Sequence, residues 1–97
     1  PKSPDVYLVM LGEQAEIAGM CLAEKLRVEN SQLDIIANCA GGSLKNQLKK
    51  ADKSLANMVF ILGEEEITNN KITIKYLRED KQQVSVAIDD LKMFLKN

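Results

Sequence analysis

The cations in this sequence fall on a regular spacing. Lys45, Lys49 and Lys53 recur every four residues, Lys50 sits beside them, and Asp52 is the lone acid of the stretch. Four lysines against one aspartate leave the segment with a net charge of +3. Such a ladder is either a solvated helix face or a patch that meets phosphates. Gly41-Gly42-Ser43 leads into it. That tripeptide reads as a tight turn followed by a helix cap, or as a cradle for a phosphate at a helix N-terminus. Neither Gly-x-Gly-x-x-Gly nor Gly-x-x-x-x-Gly-Lys-Ser/Thr occurs. Glu64-Glu65-Glu66 offers carboxylates for acid–base work or a cation, or is a solvated charge run. Histidine is absent and only Cys21 and Cys39 are available. That excludes histidine general bases, Ser-His-Asp triads and histidine-containing zinc sites. Two cysteines make no disulfide scaffold and fit a reducing, cytosolic setting. Cys21 falls on an apolar stripe and Cys39 at a strand end, where both read as inert thiols. No catalytic residue and no metal site is assigned.

The elements that must position these groups follow from hydrophobic spacing. Asp5 to Leu11 is a continuous apolar run closed by Gly12, as expected of a strand buried on both faces. Residues 13–30 read as a helix with Ala15, Ala18, Leu22 and Leu26 on one stripe, widened by Ile17 and Cys21. Gly19 inside it points to close packing on the sheet. Leu33 to Ala37 is a second short strand. Ser43 is the N-cap of a second helix, whose stripe is Leu44, Leu48, Ala51 and Leu55. Asn57 to Leu62 is a third strand, closed by Gly63. Strand–helix–strand–helix–strand with short connections predicts two right-handed βαβ units and a parallel sheet. Asn69-Asn70 then signals a turn, and Ile72, Ile74 and Tyr76 alternate with Thr73, Lys75 and Leu77. The turn is too short for a crossover, so this strand runs antiparallel to the third. Gln83 to Val86 is expected as a short edge strand. A last helix carries Ile88, Leu91 and Leu95, with Lys92 and Lys96 near its end.

Composition is that of a globular domain. The 97 residues are 45% hydrophobic and 28% charged, with a formal net charge of -1. One domain with its own core is the expectation. No global basic field exists, so a nucleic-acid partner would be held by a local patch. No apolar run reaches the ~18 residues of a membrane span. Pro1 to Pro4 read as the remnant of a linker, residues 5–97 as the domain, and the chain as a piece of a longer protein.

At the level of motifs, Gly41-Gly42-Ser43-Leu44-Lys45-Asn46-Gln47-Leu48-Lys49-Lys50-Ala51-Asp52 resembles the second helix of the anticodon-binding domain of histidyl-tRNA synthetases. Val59-Phe60-Ile61-Leu62-Gly63-Glu64-Glu65-Glu66 is similar to that family's Leu-Gly-Glu-x-Glu strand end, and Lys71 to Leu77 to its next strand. The opening from Asp5 to Ala15 is similar too, so the likeness runs from Asp5 to Leu95. It implies a three-layer α/β/α fold with a mixed, mostly parallel sheet of about five strands. It also implies a role: holding the anticodon stem-loop of tRNA(His) while a catalytic domain elsewhere in a homodimeric, cytoplasmic parent ligates histidine. On that account ATP and Mg²⁺ belong to the parent and this domain has no cofactor. The alternative is a synthetase-like regulatory domain that binds RNA or protein without aminoacylation.

The resemblance also selects residues. Glu66, the second Glu of Gly-Glu-x-Glu, is expected to read a base, with Lys75 on the next strand, Glu64 and Gln47 as further base contacts. Lys45, Lys49, Lys50, Lys53 and Ser43 are expected on the RNA backbone. Chemistry agrees for Glu66: a carboxylate is acceptor-only and can take guanine's N1–H and N2–H together. Anticodon bases are unpaired, so that edge is available.

Overall fold

The apolar run at the start of the chain becomes β1 (Val6–Met10), with all five side chains buried. The computed structural model describes residues 3–95, so Pro1, Lys2 and the predicted helix-end Lys96 lie outside the described residues. After β1 come α1 (Glu13–Glu29), β2 (Ile35–Ala37), α2 (Leu44–Lys53) and β3 (Met58–Leu62). Then follow α3 (Glu64–Asn69), β4 (Lys71–Tyr76), β5 (Val84–Ala87), a 3₁₀ turn at Ile88–Asp90 and α4 (Leu91–Leu95). The strands form one sheet in the order β2-β1-β3-β4-β5. β1 is parallel to both β2 and β3, while β4 is antiparallel to β3 and to β5. Thus β4 alone runs against the others, and the sheet is mixed and mostly parallel as expected.

Two cores sit on the two faces of the sheet. On one, α1 and α4 lay Ala15, Leu22, Leu26 and Leu91 over Val6, Leu8, Phe60, Ile72 and Ile74. On the other, Ala51 and Leu48 of α2 pack with Tyr7, Val9, Ala56 and Val59. Helices therefore flank the sheet on both sides. Gly19 confirms the reading of close approach: a Cβ there would run into the Met10 side chain.

Four details differ from expectation. The glutamate run, for which no helix is expected, is the first turn of α3, where carboxylates favour the positive end of the helix dipole. Asn70 ends that helix in the left-handed conformation, with φ 53°, which asparagine tolerates. Ile17 and Cys21 do not widen the buried stripe of α1; both are exposed, as is Cys39. On α2, Leu44 and Leu55 are exposed, and the fully buried positions are Gln47 and Ala51. Leu55 has left the helix altogether, with φ 67°.

Candidate functional site

α2 covers β1 and β3 but stops short of β4 and β5. In an antiparallel ladder opposed residues share a face. Val59 opposes Lys75, Ile61 opposes Thr73, and Thr73 opposes Ser85. Lys71, Thr73, Lys75 and Ser85 therefore project on the α2 side of the sheet, over the half that the helix leaves open. Lys71, Lys75 and Ser85 are exposed and Thr73 is half-buried.

One edge of α2 borders this open half. Arg78, just beyond β4, donates from Nη1 to Asp52 Oδ1 at 3.2 Å and from Nη2 to the Asp52 carbonyl at 3.0 Å. Asp52 lies three residues after Lys49 and seven after Lys45, so all three share one side of the helix. The same side that Arg78 ties toward β4 thus carries Lys45 and Lys49. Lys50 and Lys53 are also exposed, further round the helix.

Opposite the helix stands Glu66. Its carboxylate is half-buried and doubly held: the Gly63 N–H donates to Oε1 at 3.0 Å and the Thr73 hydroxyl to Oε2 at 3.0 Å. The first contact closes the N-terminus of α3. Gly63 has no side chain to return it, so the cap is one-sided. The second fixes the carboxylate against the sheet. Each oxygen keeps capacity for a further donor. Glu64 and Glu65 are exposed on the same short helix.

Gln47 has another job than the one expected of it. It is 0% exposed, and its carboxamide faces the protein's own backbone. β2 is only three residues long and its ladder ends at Leu8–Ala37. Met10 is the next residue of β1 to face that side, and no strand is there to pair with it. Gln47 Oε1 accepts from the Met10 N–H at 3.0 Å and Nε2 donates to the Met10 carbonyl at 2.9 Å. A side-chain amide thus stands in for the missing residue of β2. Nε2 also donates to the Gly42 carbonyl at 2.7 Å. With every group engaged and no exposure, Gln47 offers nothing to a base. It anchors the loop before α2.

Neighbouring polar groups complete that anchor. The Tyr7 hydroxyl donates to Asn38 Oδ1 at 2.8 Å, and Asn38 Nδ2 donates to the Gly41 carbonyl at 3.0 Å. Gly41 and Gly42 both take positive φ, 67° and 103°, which only glycine adopts without strain in succession. Ser43 caps α2 by accepting the Asn46 N–H at 3.2 Å. Ser43 and Lys45 are thereby placed at the end of the sheet where Gly63 and Glu66 also lie. Among the described residues no group of acidic, cysteine or histidine side chains could hold a metal. A hollow of about 550 Å³ opens at the opposite end, between Asp5, Met58 and Tyr76.

The family model for the anticodon binding domain matches residues 5–97. The chain belongs to this family. The domain is 41% identical over 93 residues to the histidine–tRNA ligase of Hydrogenovibrio crunogenus. That match covers 96% of this chain and 22% of the relative, so the chain spans about a fifth of that protein's length. Among solved structures, apo histidyl-tRNA synthetase of S. aureus superposes with a TM-score of 0.85 at 25% identity, over 98% of this chain and 24% of that one. Histidyl-tRNA synthetase of Nostoc sp. PCC 7120 gives 0.84 at 26%, over 98% and 22%. The RNA binding domain of threonyl-tRNA synthetase from Cryptosporidium parvum Iowa II gives 0.84 at 13% identity, over 94% and 22%. At that identity the likeness is one of fold alone. The fold reading from sequence therefore stands, as does the family that the Gly-Gly-Ser-Leu-Lys and Gly-Glu-x-Glu stretches indicated.

Signals for three features were faint. Arg78–Asp52 joins residues far apart in sequence, and Asp52 looked only like a dilution of the lysine charge. Thr73 was legible as one of the residues on the more open face of its strand, but not as a donor to Glu66. The short α3 was hidden because six residues show too little periodicity.

Proposed function

We propose that this anticodon-binding domain recognises the anticodon stem-loop of tRNA(His) as part of a histidine–tRNA ligase. The observation that carries the reading is the Glu66 carboxylate, held by Gly63 and Thr73 at the end of an open sheet face bordered by Lys45 and Lys49. A rigid acceptor beside a cationic helix suits an unpaired, anionic RNA loop. Glu66 accepts from a guanine edge, with Glu64 and Lys75 as neighbouring base contacts. Lys45, Lys49, Lys50, Lys53 and the Ser43 hydroxyl meet phosphates. Catalysis, ATP and Mg²⁺ belong to the catalytic part of a homodimeric parent in the cytoplasm, and the domain itself uses no cofactor. Among the described residues no helix is long and apolar enough to cross a membrane.

The test is binding of an anticodon stem-loop as a function of salt. Replacing Lys45, Lys49 and Lys53 by Ala should weaken every loop alike, whatever its anticodon. The salt slope should fall by about 0.7 for each phosphate that is no longer neutralised. A triple variant with an unchanged slope would return the lysine ladder to solvated surface.

A further inference from the structure

A pocket of about 270 Å³ lies against the Glu66–Thr73 hydrogen bond, lined by Glu65, Glu66, Asn69, Lys71, Thr73 and Ser85. We propose that this pocket takes one guanine of the anticodon by its Watson–Crick edge, and that Lys71 reads the guanine O6. The inference rests on the RNA-binding reading above and adds a residue that the resemblance did not select.

Every lining residue has a polar side chain, which suits an occupant with hydrogen-bonding groups on its edge. The volume falls below the ~300–1,000 Å³ of drug-sized sites, which suits a single base. The walls differ in kind. From α3 come Glu65 and Glu66, which only accept. From the first residue of β4 comes Lys71, which only donates. Lys71 and Thr73 are two residues apart on one strand and share a face. Lys71 therefore lines the same pocket as the carboxylate that Thr73 fixes. Among the described residues Lys71 enters no ion pair. Lys75 lies the same distance along the strand on the far side of Thr73 and does not line the pocket. It is left for an adjoining base or phosphate.

The standard bases answer these walls differently. Guanine places one acceptor, O6, beside two donors, N1–H and N2–H. A carboxylate takes the donor pair and the ammonium takes O6. Uracil has one donor between two acceptors, so one of its oxygens would face a carboxylate oxygen. Adenine and cytosine have no adjacent pair of ring and amino donors on that edge. The pocket is thus selective for guanine by its arrangement of charge, with Asn69 and Ser85 able to donate or accept at the rim.

Stem-loops carrying guanine, inosine or 2-aminopurine at each anticodon guanine in turn separate the possibilities. Inosine keeps O6 and N1–H and loses the N2 amino group; 2-aminopurine keeps that amino group but loses O6 together with N1–H, so each loop is compared only with itself between wild type and variant. Lys71→Met should weaken the guanine and inosine loops on the order of tenfold at one position, the usual worth of a charged hydrogen bond. At that position it should leave the 2-aminopurine loop unchanged. Lys71→Arg should restore the discrimination, since guanidinium also donates to O6. Lys71 is exposed, and an unaltered circular dichroism spectrum checks the fold. Equal weakening of all three loops makes Lys71 a general phosphate contact, and no weakening makes it idle; either overturns the proposal. Wild-type protein that binds the tRNA(His) anticodon stem-loop no better than one with a scrambled anticodon overturns the RNA reading as well.

Discussion

Replacing Gln47 by Leu keeps the volume and removes the carboxamide. Met10 is 2% exposed, so water cannot reach its main-chain groups when the amide is gone. The Met10 N–H and C=O would both be left without their only partner on that side. Each buried, unpaired group costs about 1–3 kcal/mol. Gly42 is exposed enough for its carbonyl to turn to water at little cost. The expected destabilisation is therefore about 2–6 kcal/mol. A domain of this size holds ~5–15 kcal/mol in total, so the variant should fold but unfold at much lower urea. Equilibrium urea denaturation followed by circular dichroism measures this, with the m-value checked for constancy. Gln47→Glu sharpens the argument. The carboxylate can accept from Met10 N–H but faces the Met10 and Gly42 carbonyls without a proton to give. Its folded-state pKa would stand above the unfolded value, so its deficit should shrink as pH falls toward ~4.3. A Gln47→Leu variant within about 0.5 kcal/mol of wild type, the range of an ordinary surface change, would show that the amide is not standing in for β2.

Thr73→Val removes the hydroxyl that holds Glu66 Oε2 while keeping a β-branched strand residue. Stability should change by about 1 kcal/mol or less, whereas discrimination between guanine and inosine loops should fall; equal discrimination in wild type and variant would mean that Glu66 needs no such brace. Burial, and then the charge of neighbouring Cys39, raises the Tyr7 pKa above its usual 10.0. A phenol with a raised folded-state pKa stabilises the fold below the unfolded value and loses that contribution as pH rises through the folded value. Stability should thus decline above about pH 10, and Tyr7→Phe should flatten that alkaline limb in urea titrations while lowering stability at pH 7, because Asn38 Oδ1 loses its donor.

Strand and helix existence was legible because burial imposes its period on the sequence. β1 could be read from a run with no polar break, since a strand covered on both faces has no solvent side. The antiparallel direction of β4 was expected from a short connection; the connection holds the short α3 as well as Asn70, and is still shorter than the dozen or more residues of a parallel crossover. The Lys45–Lys49–Lys53 spacing was enough to name a cationic helix face. By contrast, the amphipathic rule misplaced the buried edge of α2. It selects apolar side chains, and so it set Gln47 among the outward residues and Leu44 among the inward ones.

What the sequence by itself determined is the order of the five strands and of the helices other than α3, the mixed sheet, the two glycine-closed strand ends and the family. All of these are encoded locally, in periodicity and in short motifs. Tertiary structure alone decided what Gln47 is for, because the unpaired Met10 backbone arises only when β2 stops short beside β1. It alone decided that Glu66 is braced by Thr73, since β4 must fold back along β3 to bring them within 3.0 Å. And it alone turned Asp52 from a stray charge into the residue that orients the lysine edge of α2 toward β4, through an arginine 26 positions away. Each is a polar partnership across elements, and hydrogen-bond partners leave no period in a sequence.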